Sequence, residues 1–273
     1  MSVEFQKAMP LEILAAGETS RRPALLFVHG AFSGGWIWAE HFLPFFAERG
    51  WRCLAVSLSG HGGSAGRKQL DSFGVADYVA DVAEAADGLD PAPVIVGHSM
   101  GGLVGQRFAI EHKASGLALL APASLAGLGG SLIHMALRRP DLLLALNRVQ
   151  GHGMREADYG AIRRGLFSAD LPDDLALRYG TRFQAESLRV NFEMMFPQWL
   201  YAVGRPRLPT LVLGGSDDSF IPYADLLLTS AIWGAELKVL GGVPHAMMLD
   251  TSWRRAAEAL AAWLERRFGQ DSA

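Results

Sequence analysis

The segment Gly97-His98-Ser99-Met100-Gly101 constrains this chain most, because it follows a buried-type apolar run (94–96) and precedes apolar residues at helical spacing (103–112). A serine at the tip of such a strand–turn–helix has a strained backbone, and a Cβ at position 97 or 101 would collide with the adjacent strand and helix. The helix start would also favour negative charge beside the serine. An ordinary glycine-rich turn is the alternative, but the context favours a nucleophilic Ser99.

A serine hydroxyl becomes a good nucleophile only when a base removes its proton, and a carboxylate usually orients that base. The last third of the chain has two short β-type runs. A loop with Asp217 and Asp218 follows the first, and a glycine-rich loop with His245 follows the second. We predict Asp218 as the acid and His245 as the base, although solvated turn residues are the alternative for both aspartates. His98 is expected to face away from the Ser99 side chain and is not the expected base.

Apolar patterning in the rest of the chain alternates between strands and helices. Strands are predicted at 24–28, 53–58, 94–96, 117–120, 210–213 and 237–240, and helices at 36–49, 75–89, 103–112 and 253–268. Such alternation predicts an α/β fold with a mainly parallel central sheet and helices on both faces, whose functional loops lie at the carboxyl ends of the strands. Ser99, Asp218 and His245 all fall at such ends.

The alternation of strands and helices stops at 122–206, where the apolar residues form groups that are typical of several short helices. This predicts a helical cap, residues 122–206, inserted over the site in a core formed by residues 1–121 and 207–273. The arginines of this segment are interspersed with acidic residues, which is typical of a solvated surface. A minority interpretation is that one of them binds a substrate carboxylate in bidentate fashion.

Composition narrows the function further. Half of the 273 residues are apolar, which suffices for one large core, and the net charge of −3 provides no basic surface for nucleic acid. The single cysteine, Cys53, indicates a reducing compartment, and residues 1–10 lack the pattern of a leader, so we expect a cytoplasmic protein without a membrane span. No metal or nucleotide motif is present, so we expect no cofactor.

With these residues in view, the chain resembles the α/β-hydrolase superfamily over nearly its whole length. The order of Ser99, Asp218 and His245 matches the family's order of nucleophile, acid and base. His29-Gly30-Ala31-Phe32 matches the family's oxyanion loop, and the resemblance implies that the N–H groups of Ala31 and Met100 form the oxyanion hole.

Within the superfamily, residues 30–38 are most similar to the plant methylesterase and hydroxynitrile lyase branch and its bacterial relatives. In the family, the catalytic carboxylate stands four residues before the proline of the loop that holds it. Asp218 occupies this position and Asp217 does not, so Asp218 is favoured. One departure is Ser57, which stands where the family motif Asp-x-x-Gly-His-Gly-x-Ser usually begins with an acid, and we interpret it as a local structural change. Substrate-pocket candidates are Phe32, Trp36, Trp38 and Met247.

The resulting hypothesis is a serine esterase that cleaves a small, largely apolar carboxylic ester or lactone through an acyl-enzyme on Ser99. Related chains use the same triad as lyases, cofactor-free oxygenases and perhydrolases, so these reactions stay open. A small-molecule receptor or signalling protein that retains the triad is the alternative from another class. The expected partner is a small molecule rather than nucleic acid, and a homodimer is left open.

Overall fold

In the computed structural model, which describes residues 10–152 and 159–269, a seven-stranded sheet forms the centre of the chain in the order β1-β3-β2-β4-β5-β6-β7. The strands are β1 Glu12–Ala16, β2 Leu25–Val28, β3 Cys53–Ser57, β4 Val94–His98, β5 Gly116–Leu120, β6 Thr210–Gly215 and β7 Glu236–Leu240. Only β1 is antiparallel to its neighbour, β3. The five central strands are buried throughout, as expected when both faces of a parallel sheet are covered.

Helices cover both faces of this sheet. Their bounds are α1 Trp36–Ala39, α2 Phe42–Ala47, α3 Val75–Ala86, α4 Met100–Glu111, α10 Tyr223–Trp233 and α11 Trp253–Phe268. Helix α3 packs beside α4, and α2 packs between α1 and α11. The fold is therefore α/β with a mainly parallel sheet, which confirms the predicted fold class. Within the described residues, no helix combines the length and the apolar character needed to cross a membrane.

The strands and α-helices of the core differ from the sequence-based expectation in three places. The single helix predicted at 36–49 is two helices, because the backbone leaves helical geometry at His41 (φ −136°) and Pro44 has no N–H to continue a longer helix. Strand β1 was not predicted: it lies at the sheet edge and alternates between partly buried and exposed side chains. Helix α10, which packs on β6 and β7, was also not predicted.

In the described part of the chain between β5 and β6 there are five further α-helices and no strand. They are α5 Gly129–Arg138, α6 Pro140–His152, α7 Tyr159–Leu166, α8 Asp173–Gly180 and α9 Leu188–Met195. We call residues 122–206 the helical insert. It has a small hydrophobic cluster of its own, formed by Met135, Leu142, Ala145, Ala161 and Ile162, against which Phe32 and Phe220 of the core pack. That the insert forms a separate cap domain stays a prediction.

Candidate active site

Ser99 lies in the turn between β4 and α4 with φ 51° and ψ −118°, a conformation that side-chain-bearing residues rarely adopt. A Cβ on Gly97 would come within 3.0 Å of the backbone of Gly101, and a Cβ on Gly101 would come equally close to the carbonyl oxygens of Val28 and His29. Both glycines are therefore required by the close approach of strand and helix. Ser99 is held as the tip of a tight turn at the carboxyl edge of the sheet.

The loop after β2 fixes the peptide between Gly30 and Ala31. The Gly30 carbonyl accepts hydrogen bonds from His29 Nδ1 and Ser33 Oγ, both at 2.8 Å. Because a trans peptide directs its N–H opposite to its carbonyl, these two bonds also orient the Ala31 N–H. Within the described chain, no group accepts a hydrogen bond from the N–H of Ala31 or Met100, and both residues line the same cavity as Ser99.

His29 acts in this loop as a neutral side chain. Its Nδ1 donates to Gly30, and its Nε2 accepts a hydrogen bond of 3.0 Å from the Leu58 N–H. Burial, reinforced by the neighbouring His61, lowers the pKa of His29 to about 3. The ring therefore links the loop after β2 to the loop after β3 through hydrogen bonds and does not act as a base at neutral pH.

The carboxylate of Asp218 orients His245. Asp218 Oδ2 lies 2.8 Å from His245 Nδ1, and Oδ1 accepts from the N–H groups of Phe220 (2.7 Å) and Ile221 (2.9 Å). Both side chains are buried, and His245 lines the cavity beside Ser99. With Nδ1 engaged, Nε2 is the ring nitrogen left to accept a proton. Asp217, by contrast, is exposed and accepts a hydrogen bond from Ser216.

His98 supports the His245 loop from beneath. Its Nε2 donates a 3.0 Å hydrogen bond to the backbone carbonyl of His245, and the two ring centroids lie 4.7 Å apart. Burial, together with His245, holds the pKa of His98 well below its ordinary value. This role was missed at the sequence level, because no local pattern links two residues that are 147 positions apart.

Ser99, the loop residues Gly30 to Phe32 and His245 share a cavity of about 440 Å³ that extends into the helical insert. Its apolar lining includes Leu128, Leu132, Met135, Leu143, Leu146, Ile162, Leu166, Met194, Phe220 and Met248. Three uncharged amide side chains, Asn147, Gln150 and Asn191, add polar groups. Among the described lining residues there is no aspartate, glutamate, lysine or arginine. The cavity therefore suits an uncharged, mainly apolar ligand.

Of the four predicted pocket residues, only Phe32 lines this cavity. Trp38 is fully buried in the core, with its ring centroid 5.0 Å from that of Phe27, and Trp36 packs against Tyr179 and Phe183. These two corrections have one cause, because α1 begins at Trp36 and directs both rings into packing contacts. Met247 is also buried in the core and does not line the cavity. Its neighbour Met248 lines the cavity instead.

The departure at Ser57 has a structural explanation. Ser57 Oγ donates a 2.6 Å hydrogen bond to Glu12 Oε2 and accepts one of 2.9 Å from the Gly35 N–H. Glu12 lies on β1, the antiparallel neighbour of β3. A carboxylate is therefore present beside this loop, but it comes from the edge strand.

No metal site accompanies these residues in the described ranges. Across residues 10–152 and 159–269, the structure groups no three His, Cys, Asp or Glu side chains closely enough to hold a metal ion. The absence of a cofactor stays a prediction.

Comparison with known proteins places this architecture in a family. The model of the alpha/beta hydrolase family matches residues 25–263, so the chain belongs to that family. It is 28% identical over 251 residues to a non-heme haloperoxidase of Rhodococcus erythropolis, covering 84% of this chain and 87% of that protein. It is 32% identical over 101 residues to epoxide hydrolase 3 of Xenopus tropicalis, a match that spans 37% of this chain but only 27% of that protein.

The fold is also found among solved structures. A bromoperoxidase from Bacillus anthracis superposes with a TM-score of 0.77 at 18% sequence identity, covering 95% of this chain and 97% of the other. At this identity the similarity concerns the fold. The bacterial relatives agree with the resemblance drawn from the motifs.

Proposed function

We propose that this protein is a serine hydrolase that cleaves a small, largely apolar carboxylic ester or lactone through an acyl-enzyme on Ser99. One observation carries the proposal. A single cavity is lined by Ser99, by His245 with Asp218 bonded to its Nδ1, and by Ala31 and Met100, whose N–H groups have no acceptor in the described chain. Nucleophile, base and oxyanion donors are the three parts that acyl transfer needs.

In the proposed reaction, His245 Nε2 takes the proton of Ser99 as Oγ attacks the substrate carbonyl carbon. The oxygen of that carbonyl becomes an oxyanion and accepts hydrogen bonds from Ala31 and Met100. The intermediate then collapses, the carbon–oxygen bond to the leaving alcohol breaks, and His245 returns its proton to that oxygen. Water, deprotonated by the same histidine, attacks the acyl-enzyme and releases the acid and free Ser99.

In this proposal the helical insert acts as a cap that sets the substrate class. Its helices supply most of the apolar lining, which would exclude water from the reacting carbonyl. None of its described arginines lines the cavity, so the interpretation of an arginine bound to a substrate carboxylate is not retained. The buried, unpaired Cys53 supports a reducing compartment, and we propose the cytoplasm as the location.

The test is intact-protein mass after brief exposure to a fluorophosphonate, which reports an activated serine whatever the natural substrate. We expect one adduct on the wild type and none on Ser99→Ala. Ser131→Ala is the matched control, because Ser131 also lines the cavity but donates its hydroxyl hydrogen bond to Asp225. Absence of an adduct on the wild type, or an adduct that survives Ser99→Ala, would refute the assignment.

Perhydrolysis is the second candidate, and the haloperoxidase relative favours it. In this version hydrogen peroxide replaces water in attacking the acyl-enzyme, so that a peracid and free Ser99 are released, and the peracid can then oxidise a halide. Peracid formation from a short carboxylic acid and hydrogen peroxide would be measured beside ester hydrolysis. A peracid yield that depends on Ser99 supports this candidate, and a yield equal to that of Ser99→Ala excludes it.

A further inference from the structure

A glutamate of the helical insert is completely buried against the core, in contacts that the proposed reaction does not use. Glu186 Oε2 lies 3.1 Å from His61 Nε2, and Oε1 accepts hydrogen bonds from the Tyr78 hydroxyl (2.9 Å) and the Ser187 N–H (2.7 Å). Burial raises the pKa of Glu186, but His61 and these hydrogen bonds outweigh burial and hold it below the ordinary value. The carboxylate is therefore an ionised group with several fixed donors around it.

One of those donors belongs to the oxyanion loop. The N–H of Phe32 donates to Glu186 Oε2 at 3.3 Å, and the carbonyl of Phe32 accepts a 2.8 Å hydrogen bond from the Gln184 N–H. Both backbone groups of Phe32 are thus held by residues of the helical insert. Phe32 has φ 64°, a conformation that L residues rarely adopt without support from their surroundings.

The Phe32 side chain reinforces this connection, because it packs against the hydrophobic cluster of the insert. The peptide on one side of Ala31 is fixed by the core, through His29 and Ser33, while the peptide on its other side is fixed by Glu186. The Ala31 N–H belongs to the first of these peptides, but the two peptides meet at the Ala31 Cα, so the second one restrains the position of the residue that carries this donor. Core and insert therefore jointly determine where this donor lies.

We propose that Glu186 is a positioning residue for the oxyanion hole, so that the hole is complete only while the helical insert is docked on the core. This inference rests on the proposed function, since it assigns a role toward the Ala31 donor. It predicts that loss of the Glu186 contact weakens stabilisation of the oxyanion more than it weakens binding of the uncharged substrate.

The chain offers a matched control in Glu193. Glu193 is also a residue of the insert and accepts a hydrogen bond from a core backbone N–H, that of Val75 at 2.8 Å, but none of its described hydrogen bonds is with the oxyanion loop. In Glu186→Gln the side chain keeps one acceptor oxygen, whereas the donors around the wild-type carboxylate are divided between two oxygens. The Phe32 bond is the longest of them and is expected to be lost first. Glu186→Ala removes both oxygens and must lose it.

The experiment compares Glu186→Gln, Glu186→Ala and Glu193→Gln with the wild type in kcat, in KM for an uncharged ester, and in affinity for a trifluoromethyl ketone. The ketone forms a Ser99 adduct that carries an oxyanion. We expect kcat and ketone affinity to fall tenfold or more in the Glu186 variants, with KM changed less than threefold. Glu193→Gln should stay within twofold of the wild type in all three quantities.

Thermal unfolding identifies which Glu186 variants are folded, and one folded variant is enough for the comparison. If KM and the dissociation constant of the ketone rose by the same factor in the Glu186 variants, Glu186 would have a merely structural role and the inference would be overturned. An unchanged ketone affinity would also overturn it. Failure of the proposed function is distinguishable, because it would appear first as a wild type that the fluorophosphonate does not label.

Discussion

Replacing Asp218 by asparagine tests how the site selects the His245 tautomer. In the wild type, Oδ1 accepts hydrogen bonds from the N–H groups of Phe220 and Ile221, and Oδ2 faces His245 Nδ1. Asparagine has one acceptor oxygen, and the two backbone donors require it at the Oδ1 position. The amide NH₂ then faces Nδ1, so His245 carries its proton on Nε2, where it cannot accept the proton of Ser99.

The magnitude follows from the alternative orientation. To keep the productive tautomer, the amide must be reversed, which leaves the partly buried N–H of Phe220 and the buried N–H of Ile221 without an acceptor, at a cost of about 1–3 kcal/mol each. The productive form therefore lies roughly 2–6 kcal/mol higher, and at about 1.4 kcal/mol per factor of ten its population falls between about 30-fold and 2 × 10⁴-fold. We expect kcat for ester hydrolysis to fall within this range.

The assay is steady-state hydrolysis of an uncharged chromogenic ester at neutral pH, with Asp217→Asn as the matched control. Asp217 is exposed and has no contact with His245, so its variant should retain kcat within about twofold. If Asp218→Asn kept more than a tenth of the wild-type kcat, or if Asp217→Asn lost as much, the tautomer argument would be refuted.

Two further predictions concern stability. A Cβ on Gly215 would come within 3.0 Å of the Val243 backbone, so Gly215→Ala should lower the free energy of unfolding, measured by urea titration, by about 1–3 kcal/mol. The control is Gly241→Ala, whose Cβ meets nothing within 4 Å and which should change this free energy by less than about 0.5 kcal/mol. Equal effects of the two substitutions would contradict the steric argument. Because the folded-state pKa of His29 is about 3 against 6.5 unfolded, the unfolded chain binds more protons between these values, and stability is lost as pH falls through this window. Through His29 alone, lowering the pH from 8 to 5 should decrease the free energy of unfolding by about 2 kcal/mol, and His98 contributes in the same direction. A free energy of unfolding that stays flat or rises as the pH falls over this interval would count against buried neutral histidines.

Much of the sheet could be predicted from the sequence, because the signals are local. Strand β4 and helix α4 follow from apolar patterning on either side of Ser99, and helix α11 has the predicted bounds, 253–268. Strand β1 escaped prediction because a short, half-exposed edge strand has a weak apolar signal. The split into α1 and α2 depends on Pro44, a local signal that the apolar pattern concealed.

The candidate site divides in the same way. The sequence by itself determined which residue types stand at the ends of the strands, and Ser99, Asp218 and His245 follow because the carboxyl ends of parallel strands meet at one edge of the sheet. The side chains that line the cavity could not be predicted, since the directions of Trp36, Trp38 and Met247 depend on how their elements pack.

Only the tertiary structure brought together Glu12 with Ser57, His98 with His245, and Glu186 with His61. These pairs are separated by 45, 147 and 125 positions. Local sequence determines backbone propensity over a few residues, whereas a buried polar group takes whichever partner the packed chain places within hydrogen-bond distance. The sequence therefore determined the order of the candidate catalytic residues, and the packing of distant segments decided how each of them is held.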